Sequence, residues 1–265
     1  MAVFAPPTIA SETITHIGSF ELRNTMLTAW LVIVLILIGS LLYYRKSKKL
    51  VPSGWQNLVE MFVGGIADFF ESVTGDAKQA KRFMPICATI FIYVLIANVL
   101  GVFPGFGTIG IWEEHAGHTI LVPFFRSANS DVNMTLGIAC ISVIMSQVYG
   151  ALALGFSYAG KFFVNPLRNP LGTFVGILEL VSEFAKVISF TFRLFGNIFA
   201  GEMLLVTMAF LLPFIAPLPF YALELFVAFV QALVFSMLTL VFFKIAVTGH
   251  EEHEEHGGGA VEHAT

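Results

Sequence analysis

Long apolar runs alternate with short polar segments along most of the chain. The first three runs that are long enough to cross a bilayer span residues 26–44, 83–103 and 134–158. As a helix, each run would be about as long as the hydrocarbon core is thick, which is roughly 30 Å, or longer. Because lipid offers no hydrogen bonds to the backbone, a helix is the structure that satisfies such a segment internally. These runs therefore predict transmembrane α-helices.

The segment 55–73 has a different pattern. Its large apolar residues recur at helical spacing, whereas polar residues such as Glu60, Asp68 and Glu71 fall mostly on other faces. This pattern predicts an amphipathic helix, assigned to 54–75, that lies along the inner membrane surface. A soluble helix packed on a partner protein fits the same pattern nearly as well.

Two apolar runs near the carboxyl end are too long for upright spans. No proline interrupts the first one between Pro170 and Pro213, and the second covers 220–247. As one helix the first would be about 60 Å long, twice the hydrocarbon thickness. A break near Gly196 is the alternative, but no turn sequence supports it. We predict a pair of long, steeply tilted helices over 172–247.

The overall pattern predicts an all-α polytopic membrane protein. It has about five membrane-embedded helices plus one interfacial amphipathic helix. Only 12% of the 265 residues are charged, against roughly a quarter in soluble domains. The prediction is a single membrane domain over 1–248, with an external segment at 1–25 and a disordered, His- and Glu-rich tail at 249–265.

The basic residues orient the chain in the membrane. A basic cluster at 45–49 follows the first span and marks the inner side. Of the fourteen Lys and Arg residues, Arg23 and Arg126 then fall outside, Lys186 and Arg193 fall within the membrane, and the other ten fall inside. The amino terminus is predicted outside and the carboxyl terminus inside. No segment is basic enough to indicate a nucleic-acid partner, and no metal or cofactor is expected.

The first of the two long runs carries polar and charged residues that a purely structural helix would avoid. These residues are Glu179, Glu183, Lys186, Arg193, Asn197 and Glu202. A charge at bilayer depth costs about 2.5 to 3.5 kcal/mol even on a lenient scale. Glu183 and Lys186 can pair at i,i+3. Arg193 has no carboxylate at i±3 or i±4 and cannot lose its proton. It needs a partner from outside its own helix.

The helical periodicity groups several of these side chains. Ser189 and Asn197 lie four residues on either side of Arg193 and share its face, whereas Glu202 falls on the opposite face. On the last helix, Glu224 and Gln231 are seven residues apart and share a face. Polar contacts between helices explain the neutral residues well. They explain poorly an arginine that is accompanied by unpaired glutamates.

We interpret this set as a proton path. Glutamates in a low-dielectric setting can accept and release protons near neutral pH. A fixed positive charge in the same path repels protons and blocks a continuous leak. The arrangement indicates two aqueous half-paths separated by Arg193. A mobile carboxylate on a partner protein would carry protons past the barrier and supply the missing counter-ion.

Two motifs resemble those of subunit a of the F-type ATP synthase. They are FRLFGNIFAGE around Arg193 and VQALVFSMLTLVF on the last helix. The resemblance runs from NTMLTAWL at 24–31, through SANSDVN at 127–133, to the end of the last helix. It implies a stator subunit whose two half-channels load and unload protons on the carboxylates of a rotating c-ring, and whose two long helices lie steeply tilted against that ring.

The resemblance also implies roles for individual residues. The arginine that matches Arg193 faces the ring and separates the half-channels. The outer half-channel residues of the family match Asn197, Glu202, Glu224 and Gln231, and the inner one matches Glu179, with Ser189 near the arginine. At the position of Glu224 some bacterial relatives have histidine.

The implied partners are the c-subunit ring, peripheral-stalk b-type subunits, the rest of the complex and membrane lipid. The implied location is the bacterial inner membrane, with the mitochondrial inner membrane as the alternative. The sequence has no nucleotide-binding loop, so we expect a non-catalytic subunit. A secondary transporter or antiporter-like subunit is the alternative function, but it predicts internal repeats, and none is evident. A passive channel would have no positive barrier.

Overall fold

The computed structural model describes residues 11–17, 20–46, 54–106, 109–115, 118–155, 158, 170–212 and 215–248. The predicted tail at 249–265 lies outside them. The helices in the described residues are α1 (Asn24–Lys46), α2 (Trp55–Thr74), α3 (Ala77–Val102), α4 (Val132–Leu154), α5 (Pro170–Leu211) and α6 (Pro217–Thr248). All but α2 are long and apolar enough to cross a membrane. The predicted helical membrane architecture is confirmed.

The two long helices are continuous. α5 has 42 residues and α6 has 32 residues. The alternative in which the first run breaks near Gly196 is therefore wrong, since this residue lies inside α5. Each helix exceeds the ~20 residues that an upright span requires.

The structure corrects the predicted ends of two spans. α3 begins at Ala77 rather than at residue 83, because the side chain of Asp76 caps it by accepting a hydrogen bond from the backbone N–H of Lys78. α4 ends before Gly155, which has a φ of 59°, instead of continuing to Tyr158. A positive φ of this kind favours glycine and ends the helix.

Two short antiparallel hairpins lie in segments that were predicted to be polar loops. Strands β1 (Thr13–Ile17) and β2 (Phe20–Arg23) precede α1, and strands β3 (Gly110–His115) and β4 (His118–Pro123) lie between α3 and α4. The backbone N–H of Asn24 donates to the carbonyl of Glu12 at 3.1 Å. This bond joins the first hairpin to the start of α1.

The core lies where α3, α4, α5 and α6 meet. α3 packs against α6, and α4 packs against both α5 and α6. The central cluster consists of Ile90, Phe91, Val94, Ala139, Phe190, Leu194, Ile198, Ala232 and Phe235. α1 packs at the edge against α3. This packing places α5 and α6 side by side.

The amphipathic helix α2 packs with one face on α3 and α6. Phe70 is buried in a second cluster with Phe83, Leu240 and Phe243. Other apolar residues of α2, including Met61, are exposed. The apolar residues of α2 are therefore divided between a packed face and an exposed one.

Candidate functional site

Predicted site residues meet where the carboxyl-terminal half of α5 packs on α6. The Nδ2 of Asn197 donates a hydrogen bond of 2.7 Å to the Oε1 of Gln231. The carboxylate of Glu224 lies directly over the α5 backbone at Gly201, so close that a Cβ at this glycine would collide with it. Glu202 is the next residue along α5. Asn197 and Gln231 thus meet across the α5–α6 interface, and Glu224 reaches α5 at the residue before Glu202.

Glu202 has a partner that the sequence did not reveal. The Nε of Arg126 lies 2.9 Å from the Oε1 and 3.1 Å from the Oε2 of Glu202. The Arg126 side chain is only 5% exposed and that of Glu202 is 26% exposed. Arg126 was assigned to an external loop, but it is buried against α5. No local pattern could reveal the pair, since the partners are 76 residues apart in the chain.

Arg126 is placed by a buried turn that follows it. The 3-10 turn Ala128–Ser130 packs against α1, α3, α4 and α5. Within it, Asn129 donates a hydrogen bond of 2.6 Å to the Oδ1 of Asn98 on α3, and Asn98 donates at 3.4 Å to the carbonyl of Ala228 on α6. Both asparagines are fully buried. The turn therefore links α3 and α6 beside the outer site residues.

Asp131 ends the turn and caps α4. Its carboxylate accepts hydrogen bonds from Ser11, from Thr25 and from the backbone N–H of Asn133. Burial alone would raise the pKa of Asp131, but these hydrogen bonds and the charge of Arg23 hold it below its ordinary value. The amino-terminal segment is thereby tied to the start of α4.

Arg193 lies on a partly exposed face of α5. Its guanidinium carbon is 5.9 Å from the ring centroid of Phe190, a distance at which a cation is attracted to an aromatic face. In the part of the chain that the structure describes, Arg193 forms no ion pair. Ser189 and Asn197, one turn below and above it, are exposed. The need for a partner outside its own helix stays a prediction.

The amino-terminal half of α5 contains the ion pair that the sequence predicted. The Nζ of Lys186 lies 2.6 Å from the Oε1 of Glu183. The Oε2 of Glu183 is buried without a hydrogen bond to any described residue. This side chain borders a mainly apolar cavity of about 440 Å³ between α4 and α5, which Gln147 also lines.

Tyr158 adds a polar side chain near the same inner region. Its hydroxyl donates a hydrogen bond of 2.6 Å to the Oε1 of Gln147. Burial, followed by the negative charges of Glu183 and Glu179, raises the pKa of Tyr158 to about 12. Glu179, the predicted inner residue, is partly buried and has an interaction of its own.

These features define an integral membrane protein with ionisable side chains along two long, packed helices. The family model described as "ATP synthase A chain" matches residues 26–244. The chain belongs to the ATP synthase subunit a family. It is a membrane component of the ATP synthase complex, with the proton-translocating stator role of this family.

Three curated relatives agree with this assignment, and each of them is named ATP synthase subunit a. The protein from Campylobacter jejuni (strain 81-176) is 33% identical over 221 residues, which cover 83% of this chain and 89% of the relative. The protein from Campylobacter fetus is 32% identical over an alignment that covers 92% of this chain and 97% of the relative. The protein from Syntrophobacter fumaroxidans is 32% identical over an alignment that covers 97% of this chain and 92% of the relative.

Proposed function

We propose that this chain forms two offset half-channels that load and unload protons on the carboxylates of a rotating c-ring. Arg193 separates the two half-channels. The observation that carries the proposal is the position of this arginine. It lies on a partly exposed face of α5, between an outer and an inner group of ionisable side chains, and forms no ion pair within the described residues.

Glu202, Glu224, Asn197 and Gln231 line the outer half-channel. Glu202 lies about 13 Å beyond Arg193 along the helix at 1.5 Å per residue. The Asn197–Gln231 hydrogen bond lies between the two glutamates and Arg193. A proton entering from outside passes through this region to a ring carboxylate.

Glu179 and Ser189 line the inner half-channel. Ser189 lies one turn below Arg193 on its exposed face, and Glu179 lies about 21 Å below the arginine along α5. A ring carboxyl that has completed its rotation releases its proton here. Arg193 then holds the resulting carboxylate as its counter-ion and prevents a direct leak between the half-channels.

The rotation depends on the cost of charge in lipid. A protonated carboxyl can pass through lipid, whereas an ionised one meets a penalty of about 2.5 to 3.5 kcal/mol or more. Each proton that crosses supplies about 2.3 kcal/mol per 100 mV of membrane potential. The ring adds up several such steps for each ATP. The subunit itself is non-catalytic, and ATP forms on other subunits.

The partners follow from this arrangement. The 172–247 helix pair faces the c-ring, and its apolar side chains Phe174, Phe184 and Phe192 are exposed on α5. Peripheral-stalk b-type subunits and lipid cover other faces, and α2 lies along the inner surface. The chain is placed in the bacterial inner membrane with its amino terminus outside and its carboxyl terminus in the cytoplasm.

Replacement of Arg193 tests the proposal. In inverted vesicles that contain the whole complex, Arg193→Ala should abolish ATP-driven proton pumping. Arg193→Lys should also fail, because lysine can lose its proton and lacks the planar fork of arginine. Arg45→Ala, at an exposed position near the end of α1, is the control and should pump normally. Normal pumping by Arg193→Ala would refute the proposal.

A further inference from the structure

We propose that Arg126 is a positioning residue of the outer half-channel. Its ion pair holds Glu202 as a fixed carboxylate, so that Glu224 is the outer carboxyl that passes protons on. This inference rests on the function proposed above. It assigns different tasks to two glutamates that the sequence presents as equivalent, and it adds a residue from outside the two long helices.

The geometry of the ion pair fixes the charge of Glu202. The Nε–H of Arg126 points between the two carboxylate oxygens, at 2.9 and 3.1 Å. The guanidinium is almost fully buried and cannot lose its proton. A proton on Glu202 would remove the negative charge that this buried cation contacts at 2.9 Å, which is costly for a buried pair. Glu202 is therefore poorly suited to give and take protons.

Glu224 lies in a different setting only one helix away. Its side chain is 6% exposed, and its carboxylate lies over the α5 backbone at Gly201. It makes no hydrogen bond or ion pair with any other residue in the described part of the chain. No fixed cation holds it in the ionised form. Its carboxyl can exist in both protonation states without breaking a contact.

Glu224 also lies on the route toward Arg193. On α6 it precedes Gln231 by two turns and shares its face. The Oε1 of Gln231 accepts from Asn197, but its Nε2 is buried without a partner among the described residues. An unpaired buried amide donor of this kind calls for a water molecule. A water there would extend a path from Glu224 toward the ring-facing arginine.

The position of Arg126 is set by more than its ion pair with Glu202. The guanidinium extends from the segment just before the buried turn Ala128–Ser130, which the Asn98–Asn129 bond anchors to α3. A fixed positive charge at a proton entrance would repel protons. Glu202 neutralises it, and the entrance keeps a structural contact without a net barrier. This explains why an acid is required at a position that does not itself carry protons.

A double-mutant cycle tests the assignment in vesicles that contain the whole complex. The variants are Arg126→Gln, Glu202→Gln, the double variant, Arg126→Lys and Glu224→Gln, with ATP-driven pumping normalised to assembled complex. Arg126→Gln and Glu202→Gln each remove one partner of the ion pair, and each should lower the rate about tenfold. The double variant removes both charges, so its pumping rate should recover to within about threefold of the wild type. If the two effects were independent, they would multiply to a loss of about a hundredfold.

The other two variants separate positioning from packing. Arg126→Lys keeps the charge and should pump within about threefold of the wild type, which a purely steric role would not predict. Glu224→Gln removes the carrier and should lower the rate about a hundredfold or more. A multiplicative loss in the double variant would overturn the assignment. The assignment would also be overturned if Glu224→Gln retained more than about a tenth of the wild-type pumping rate. Such a rate corresponds to an increase of less than ~1.4 kcal/mol in the activation free energy.

The Arg193→Ala variant keeps this test distinct from that of the function. If Arg193→Ala pumps normally, the half-channel proposal itself fails. If Arg193→Ala is silent while the Arg126 and Glu202 effects multiply, the half-channels stand and only the role of Arg126 is refuted.

Discussion

The outer and inner halves of α5 each contain one ion pair, but the two pairs differ in kind. At the outer end, Arg126 reaches Glu202 from another part of the chain. At the inner end, Lys186 pairs with Glu183 one turn away on the same helix. The outer pair joins two segments that are 76 residues apart in the chain, whereas the inner pair lies within one helix at i,i+3 spacing. One pair is long-range, and the other is local.

This difference shows how similar charges can serve different purposes in a membrane. The long-range pair anchors a loop to a helix and holds a carboxylate in place. In the local pair, the Nζ of Lys186 also lies 4.8 Å from the ring centroid of Phe242, so it keeps a second contact when Glu183 is lost. The outer end is therefore expected to depend on the fold of the whole chain, and the inner end on α5 itself.

The largest expected effect comes from removing one acid at each end. Glu202→Gln removes the carboxylate that pairs with the buried Arg126, which costs about 3 kcal/mol. Glu183→Gln leaves Lys186 with a side chain that is 24% exposed and that still contacts the Phe242 ring, so it should cost about 1 kcal/mol or less. For a chain of this size each kcal/mol lowers the melting temperature by roughly 2–4 °C. The apparent melting temperature of the chain in the solubilised complex measures the loss of stability in both variants. Equal shifts would show that the outer and inner ion pairs contribute equally to stability and would contradict this prediction.

The second prediction concerns the anchor that surrounds the outer pair. Asp131→Asn disrupts the hydrogen bonds from Ser11 and Thr25 and should cost about 1–3 kcal/mol at neutral pH. The folded-state pKa of Asp131 lies below its ordinary value of 3.8. Its stabilisation is therefore complete above that ordinary value and is lost as the pH falls through the folded-state pKa.

The melting temperature of the solubilised complex, measured as a function of pH, checks this prediction. The difference between wild type and Asp131→Asn should be full at neutral pH and shrink only in strong acid, below 3.8. A difference that disappears already in mildly acidic buffer would show that the carboxylate is not held in its ionised form by these contacts.

A smaller effect should follow from crowding the outer site without changing any charge. The methyl group of Gly201→Ala would meet the Glu224 carboxylate and displace it. Because this carboxylate is the flexible end of its side chain, we expect pumping to fall by about threefold to tenfold rather than the helix to unfold. Gly64→Ala on α2, where the added methyl meets open space, is the matched control. Equal rates for the two variants would count against a role for the Glu224 position.

The sequence was sufficient for those features that depend on local spacing. The Glu183–Lys186 pair follows from i,i+3 geometry, and the continuity of α5 follows from the absence of proline and turn residues within it. Asn197 and Gln231 were each singled out, but their direct hydrogen bond required the packing of α5 on α6.

Features that depend on long-range contacts were not predictable. Arg126 stands in a segment that was predicted to lie outside the membrane, and the apolar run just before it, residues 120–125, does not indicate which helix it packs against. Its partner Glu202 is distant in the chain, so only the fold brings the two together. The two hairpins were missed because their strands are only four to six residues long, which is too short for a clear pattern.

The smallest expected effect concerns Tyr158 at the inner end. Its hydroxyl keeps its proton throughout the neutral range, because its pKa is raised to about 12, and it donates to Gln147. Tyr158→Phe removes this hydrogen bond and should cost about 1 kcal/mol, or a few degrees of melting temperature. Tyr44→Phe, at a 74% exposed position, is the control and should not shift the melting temperature. If Tyr158→Phe also melts like the wild type, the hydrogen bond to Gln147 contributes nothing to stability, and the inner end is stabilised by α5 and its own ion pair instead.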